Sequence, residues 1–236
     1  GEITIFAGTL AAPGGRLNLI ATASAGRVDI DASGSLGAVS VDTFDTMAPI
    51  DISSDLRAGR SFLDVSANAG GTTFLRGSTF DLDGYLLASS DDGLGLGVAV
   101  DLAMRDGILL EPSSVITSDV LGPGRAGDIL LFAPLIQGDF TVILSRSFAT
   151  DDQGTGDILL MSELIDLSES QVATTTQGAT QGGGITLRGG DILLDTTLVE
   201  TTTDGEGNAG AIRIIADLLR LGGVGSDGTV ASIESV

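Results

Sequence analysis

"GGGITLRGGDILLDTTLVETTT" occupies residues 182–203, and "GNAGAIRIIADLLRLGG" at 207–223 opens the same pattern again. In the first stretch three apolar runs, Ile185–Leu187, Ile192–Leu194 and Leu198–Val199, are separated by four and three residues. Each run is too short for a helix, alternates in polarity and ends in Gly, Asp or Thr, which are strand signals. The segment 213–223 has apolar residues at mixed spacing. It also reads as strand, because it lies in phase with "GGDILLDT".

Working outward, a unit Gly-x-Ile-x-Leu/Ile recurs as "GDILL" at 127–131, "GDILL" at 156–160, "GGITL" at 183–187 and "GAIRI" at 210–214, at offsets of 29, 27 and 27. An apolar residue with Thr two places on rides along, as Val115/Thr117, Phe148/Thr150, Val172/Thr174 and Val199/Thr201. Polar Gly-bearing loops ("GPGRAG", "DDQGTG", "QGATQGGG", "DGEGNAG") lead to the next unit. Corners so rich in glycine suit positive φ. About three short strands in a period near 27 make one flat coil, and coils stack about 4.8 Å apart through backbone hydrogen bonds. The pattern therefore predicts an all-β, right-handed parallel β-helix, a solenoid of about eight or nine rungs of roughly 27 residues. It forms a single domain over 1–236, less regular over 1–112 and regular over 113–236.

Period two then sets side-chain direction. Ile129, Ile158, Ile185 and Ile212 are expected to stack inside as one ladder, and Leu131, Leu160, Leu187 and Ile214 as a second. Asp128, Asp157 and Arg213 point out. Val172 and Val199 point in with Thr174 and Thr201, whose hydroxyls can bond one another or the backbone. Two regions fit less well. Residues 38–59 predict broader rungs or a loop leaving the stack, and 91–107 a strand pair or a rung of close backbone approach.

Composition narrows the function classes. Apolar residues make up 42% of the chain, but no run is long enough for a membrane helix, so membrane insertion is not expected. Aromatics are only 4%, so Ile, Leu, Val and Ala must fill the core in thin layers. The formal charge is −21, with 11 Arg and no Lys, which argues against nucleic acid and anionic membranes as partners. Cys and His are both absent, which removes disulfides, thiolate chemistry and the usual zinc and haem sites. The chain opens at Gly1 without a targeting signal, so a leader has been removed or the chain is an excerpt.

"LAAPGGRLNLIATASAGRV" (10–28) resembles the "APGGRI-x-L…ASPGEV" stretch that follows the secretion domain of filamentous haemagglutinin-type, two-partner-secretion exoproteins. "GNAGAIRI" (207–214) and "GRAGDILL" (124–131) resemble the "GNAGNI-x-I" corners repeated in the same proteins, especially large cyanobacterial ones. The likeness touches about half of the chain. It implies a secreted or cell-surface fibre, export through an outer-membrane partner, and adhesion to surface glycans or proteins. The family's Asn-Pro-Asn-Gly secretion signature is missing.

Several chemistries can be weighed. The carboxylate pairs Asp91–Asp92, Asp151–Asp152 and Asp204 with Glu206 invite comparison with β-helical glycosidases, but all lie in Gly-bearing loops and read as turn residues. No cofactor is expected. Calcium is the one ion with a sequence hint: "GGVGSDGTV" (222–230) nearly fits the calcium-binding nonapeptide, though it occurs once and Thr229 replaces an apolar residue. That reading names Asp227, with weaker candidates at Asp151, Asp152, Asp204 and Glu206. The runs "ATTT" and "ETTT" are too few for an ice-binding array, and no helix follows a Gly cluster to cradle phosphate. Without His or Lys no standard activated nucleophile can be assembled, and an enzyme is not expected.

Outward apolar residues say more. Leu130 and Phe132 should lie beside Leu159 and Met161 on adjacent rungs, with Arg188 and Ile215 continuing the column, as a lateral interface with another fibre or the seat of a covering loop, residues 138–148. No capping helix is legible at either end, so exposed strand edges would allow subunits to stack end to end. The primary expectation is a non-enzymatic structural or adhesive segment. A self-assembling fibre subunit and a β-helical polysaccharide-active enzyme are the alternatives.

Overall fold

A computed structural model describes residues 1–28, 41–55, 57, 59–91, 97–148, 154–224 and 230–236. Among these, β-strands follow one another almost without interruption, joined by one 3-10 turn at Val41–Thr43. The chain enters partway round a coil with β1 (Ile3–Phe6) and β2 (Thr9–Ala11). The next coil is β3 (Arg16–Ile20), β4 (Ile50–Ser53) and β5 (Ser61–Asp64). Then come β6 (Thr72–Leu82) with β7 (Gly84–Leu87), and β8 (Val98–Leu110) with β9 (Val115–Val120). Two three-strand coils follow, β10 (Asp128–Phe132), β11 (Leu135–Asp139) and β12 (Val142–Ser147), then β13 (Ile158–Met161), β14 (Leu164–Ser168) and β15 (Gln171–Thr176). The last two are β16 (Ile185–Arg188), β17 (Asp191–Asp195) and β18 (Leu198–Thr203), then β19 (Ile212–Ile215), β20 (Leu218–Gly222) and β21 (Ser232–Ser235).

All strand pairs are parallel and join like-placed strands of successive coils, which makes a three-sided β-solenoid. The first two faces form one 13-stranded sheet because β6 and β8 run round the corner between them, and the third face is a separate 8-stranded sheet. About six turns separate β3 from β19, fewer than the period implies. The shortfall has a local cause. Leu17 pairs with Thr73, 56 residues on, whereas Thr73 pairs with Val100, 27 residues on. The 29 positions between β3 and β4 thus consume about one coil of chain, and the departure expected within 38–59 is met only in part, since Ile50–Ser53 of that range pairs within the stack as β4. Phe44 and Met47 of this excursion pack on Ile20, Val28 and Phe74. Arg105 holds it down by donating to the carbonyls of Val41 (2.8 Å), Phe44 (2.6 Å) and Asp45 (2.7 Å). Residues 98–110 form one long strand, β8, whose register with β6 shifts between Gly77 and Thr79.

Both interior ladders form as read. Ile129, Ile158, Ile185 and Ile212 pair in register, as do Leu131, Leu160, Leu187 and Ile214. All but the last member of each are fully buried. The second face adds Ile50, Phe80, Ile108, Ile136, Ile165 and Ile192, and the third adds Leu63, Leu86, Ile116, Ile143, Val172 and Val199. Each buried side chain is packed between like-placed apolar ones of the coils on either side, so truncating a buried Ile to Ala leaves a cavity between them and costs about 2–5 kcal/mol. Thr174 and Thr201 do face inward, and their hydroxyls donate to the carbonyls of Gly183 and Gly210, both at 2.7 Å. The phase of the Val115/Thr117 pair is corrected: Ile116/Ser118 and Ile143/Ser145 occupy those positions, and Val115 and Thr117 lie one step off. Phe148 follows the end of β12, and Thr150 lies outside the described residues.

Glycine meets the expected positive φ at some corners, Gly14, Gly70, Gly154 and Gly223 at 64°, 66°, 100° and 81°. In four coils, however, the corner between second and third faces turns at non-Gly residues of positive φ: Ser113, Phe140, Glu169 and Thr196 at 72°, 50°, 46° and 50°. Glycine is also needed for close approach where the third face leads to the next coil. A Cβ on Gly156 would lie 2.1 Å from the Gly127 carbonyl oxygen, one on Gly183 2.1 Å from that of Gly156, and one on Gly210 1.8 Å from that of Gly183.

Candidate binding surface

The outer surface of the third face carries the most distinctive side chains. Because Leu63, Leu86, Ile116 and Ile143 point inward, the preceding residues on β5, β7, β9 and β12 point out. They form a column in register, Phe62–Tyr85–Val115–Val142–Gln171–Leu198. Six strands at about 4.8 Å give it a length of roughly 24 Å. The Phe62 and Tyr85 rings stack at 5.1 Å with planes 10° apart, and the Arg60 guanidinium lies 5.1 Å from the Tyr85 ring centre. Arg60 also donates to the Ser113 carbonyl at 3.0 Å, which ties the aromatic end to the adjoining corner.

That corner forms a rim. After each positive-φ residue comes a buried hydroxyl: Ser114, Thr141, Ser170 and Thr197. Thr141 donates through its amide and its hydroxyl to the Ser170 hydroxyl (3.0 and 3.1 Å), Ser170 donates to the Ser168 carbonyl (2.6 Å), and Thr197 to the Leu167 carbonyl (2.9 Å). The hydroxyls satisfy backbone groups that the turn would leave unpaired. With the corner fixed, Phe140 (49% exposed) and Glu169 are held outward. Between rim and column runs an open groove of about 610 Å³, from Arg60 and Tyr85 to Gln171 and Leu198. The repeated dipeptides Ser113–Ser114, Phe140–Thr141, Glu169–Ser170 and Thr196–Thr197 are the sequence signal for this rim.

The sequence pointed to other places. Leu130 pairs with Leu159 and Phe132 with Met161 on the first face, half-buried and facing outward, and Arg188 and Ile215 continue the Phe132 column. Residues 138–148 do not cover them: they are the end of β11, β12 and the corners beside them. Asp204 and Glu206 are exposed in the loop after β18. Asp92, Asp151, Asp152 and Asp227 lie outside the described residues. Among the described residues no group of three or more acidic side chains is placed to hold a metal ion.

A second constellation was not anticipated. On the outer second face Asp51 pairs with Asp81, Asp83 follows two residues on, and Glu111 succeeds Leu110, the partner of Leu82. Burial, and then the charges of Glu111, Asp51 and Asp83, push the Asp81 carboxyl up to about 6. The Ser54 amide donates to the Asp83 carboxylate at 3.1 Å. The D-x-D at 81–83, read with period two, is the signal that these carboxylates share a face.

No protein family matches the chain, and neither a curated protein nor a solved structure matches it. Among the described residues no helix is long and apolar enough to cross a membrane.

Proposed function

We propose that the chain is a non-enzymatic structural and adhesive segment of a secreted or cell-surface exoprotein. In this reading it is a stiff rod that carries a contact surface. We take the coils to wind right-handed, as parallel crossovers do in about 98% of cases. The observation that carries the reading is the pairing of an unbroken interior with the uncharged column Phe62–Leu198 on the outside. A solenoid gains stiffness because each coil contacts its neighbours through a continuous core, and its outer columns are then free to serve as contact surfaces. The likeness of 10–28 and 207–214 to haemagglutinin-type exoproteins supports export through an outer-membrane partner. Electron microscopy of the native material tests this: rods or stalks at the cell surface are expected, and compact intracellular particles would overturn it.

Two further readings each have an observation. End-to-end assembly would cover the last coil, where Leu219 and Leu221 of the interior stack are 42% and 48% exposed. Continuing polypeptide would cover the same surface. Sedimentation of the purified native-length protein separates the two, since fibre subunits associate at micromolar concentration. Polysaccharide hydrolysis would use Asp81, whose carboxyl is pushed up to about 6, as a proton donor beside Asp51 and Asp83. Release of reducing sugar that is abolished in Asp81→Asn would establish that reading over the scaffold.

A further inference from the structure

We propose that the groove on the third face binds a linear, uncharged oligosaccharide lying parallel to the solenoid axis, an assignment that rests on the adhesive reading above. Shape is the first argument. From Tyr85 to Leu198 the groove crosses four coil steps, roughly 19 Å at about 4.8 Å each, and it is one column of side chains wide. Such a strip falls far short of the roughly 800 Å² per partner that a stable protein interface buries. It suits one extended chain, and a pyranose unit is about as long as the coil step.

Backbone chemistry is the second. β9, β12, β15 and β18 are each paired on both sides, so their N–H and C=O groups are already used. A peptide cannot join this face as an added strand, and one lying along the axis would leave its own amides without partners. A sugar chain needs no ladder. Its hydroxyls can bond the side chains of Arg60, Glu169 and Gln171, and the C–H faces of its rings can rest on Tyr85, Phe140 and Val142.

Charge is the third. The chain carries −21, yet the groove holds one cation and one anion, Arg60 and Glu169. The field of the whole molecule repels an acidic polymer. A cationic one is drawn to the second face, where Asp51, Asp81, Asp83 and Glu111 gather. An uncharged chain is the class left for this groove.

Tyr85 is the single tyrosine and the chain has no tryptophan, so its emission reports directly on the groove. The intact chain is titrated with cellohexaose, mannohexaose, laminarihexaose and xylohexaose, and with hexagalacturonate as the acidic counterpart. At least one neutral hexasaccharide should change the emission saturably at millimolar concentration or below. Phe140→Ala and Gln171→Ala should each weaken binding about tenfold or more, while Leu193→Ala on the second face leaves it unchanged. Strand content and melting point check the fold of each variant, and Phe140→Gly, which relaxes the positive-φ corner, replaces any Phe140→Ala that misfolds. The assignment falls if none of the four neutral chains binds, if hexagalacturonate binds as tightly, or if Leu193→Ala weakens binding as much as Phe140→Ala. Small-angle scattering separates this failure from that of the scaffold reading. An elongated particle that binds no sugar retires the groove alone, and a compact one retires both.

Discussion

Replacing Gly183 with Ala tests the closeness of coil stacking. The added Cβ would lie 2.1 Å from the Gly156 carbonyl oxygen, 2.6 Å from its carbon and 2.9 Å from the Thr155 hydroxyl. The two nearest obstacles are backbone atoms, so no side chain can swing aside. Separating the coils locally strains the bond from the Ile158 amide to the Gly184 carbonyl (2.9 Å) and the one from Thr174 to the Gly183 carbonyl (2.7 Å). Overpacking of this kind costs about 1–3 kcal/mol, and a weakened buried hydrogen bond adds about 1 kcal/mol. A total near 3 kcal/mol lowers the melting point of a chain this size by roughly 6–12 °C. Because coils hold only their neighbours, the loss falls on the junction between β13–β15 and β16–β18, and the last two coils should melt first. Circular dichroism during heating reads this. Gly222→Ala is the control, since nothing lies within 4 Å of its added Cβ. If Gly183→Ala melts within a degree of the parent, the coils do not approach as described.

Other substitutions test other layers. Thr73 stands in the first-face ladder, fully buried and with its hydroxyl unpartnered, so Thr73→Val should raise the urea-derived stability by about 1 kcal/mol. Thr174→Val should lower it by a similar amount by leaving the Gly183 carbonyl without its donor. Arg105→Ala should leave strand content intact while limited proteolysis within 21–49 accelerates, because three carbonyls lose their shared donor. Asp81 binds its proton more tightly folded (about 6) than unfolded (3.8), so its ionisation lowers stability as pH rises through that window. Asp81→Asn should therefore raise the urea-derived stability at pH 7, by about 1–2 kcal/mol once solvent screening of this half-exposed group is allowed for, and the gain should vanish near pH 3.5. Added salt should raise the parent's melting point by damping repulsion among acidic columns, and a fall would show that ion pairs such as Arg146–Asp119 (2.7 Å) dominate instead.

The interior was legible because identical packing demands recur every coil. Ile158, Ile185 and Ile212 announce their stacking through offsets of 27. The insertion between β3 and β4 was legible only as a break in pattern, placed too late at 38–59, since nothing in Phe44 or Met47 says that they cover Ile20, Val28 and Phe74. Thr phase failed at Val115 because the inward position two past Ile116 and Ile143 is held by Ser118 and Ser145, small enough to fit the column without a Thr to mark it, and Ser145 accepts from the Gly156 amide. The groove was hidden for a related reason. Its rim turns at Phe140 and Glu169, residues that rarely adopt positive φ, and the glycine-rich loops drew attention to the other corner. Its floor begins at Phe62 and Tyr85, in coils whose sequence repeat is diluted by long strands that round a corner.

Inner columns answer to packing, so every coil must repeat them, whereas outer columns face water and are free to differ. Their difference here is costly in both directions. On the second face Asp51, Asp81 and Asp166 share one outward column, and Asp83 and Asp139 face outward beside it. Neighbouring carboxylates one coil step apart repel by about 1 kcal/mol in bulk water and by several times that near a low-dielectric surface. Distributing those charges over the third face would relieve the repulsion and also wet the apolar column Phe62–Tyr85–Val115–Val142. The chain places Asp64, Asp119, Arg146 and Glu200 on the third face only in columns beside this one, with Asp119 and Arg146 ion-paired at 2.7 Å. The column itself keeps a stacked aromatic pair and aliphatic side chains, with Arg60 at its end, beside a rim that holds Phe140 and Glu169 outward. The rim hydroxyls already serve the corner's backbone, whereas solubility and core packing do not call for the bare column, and that column is the feature the proposed ligand along the rod would use.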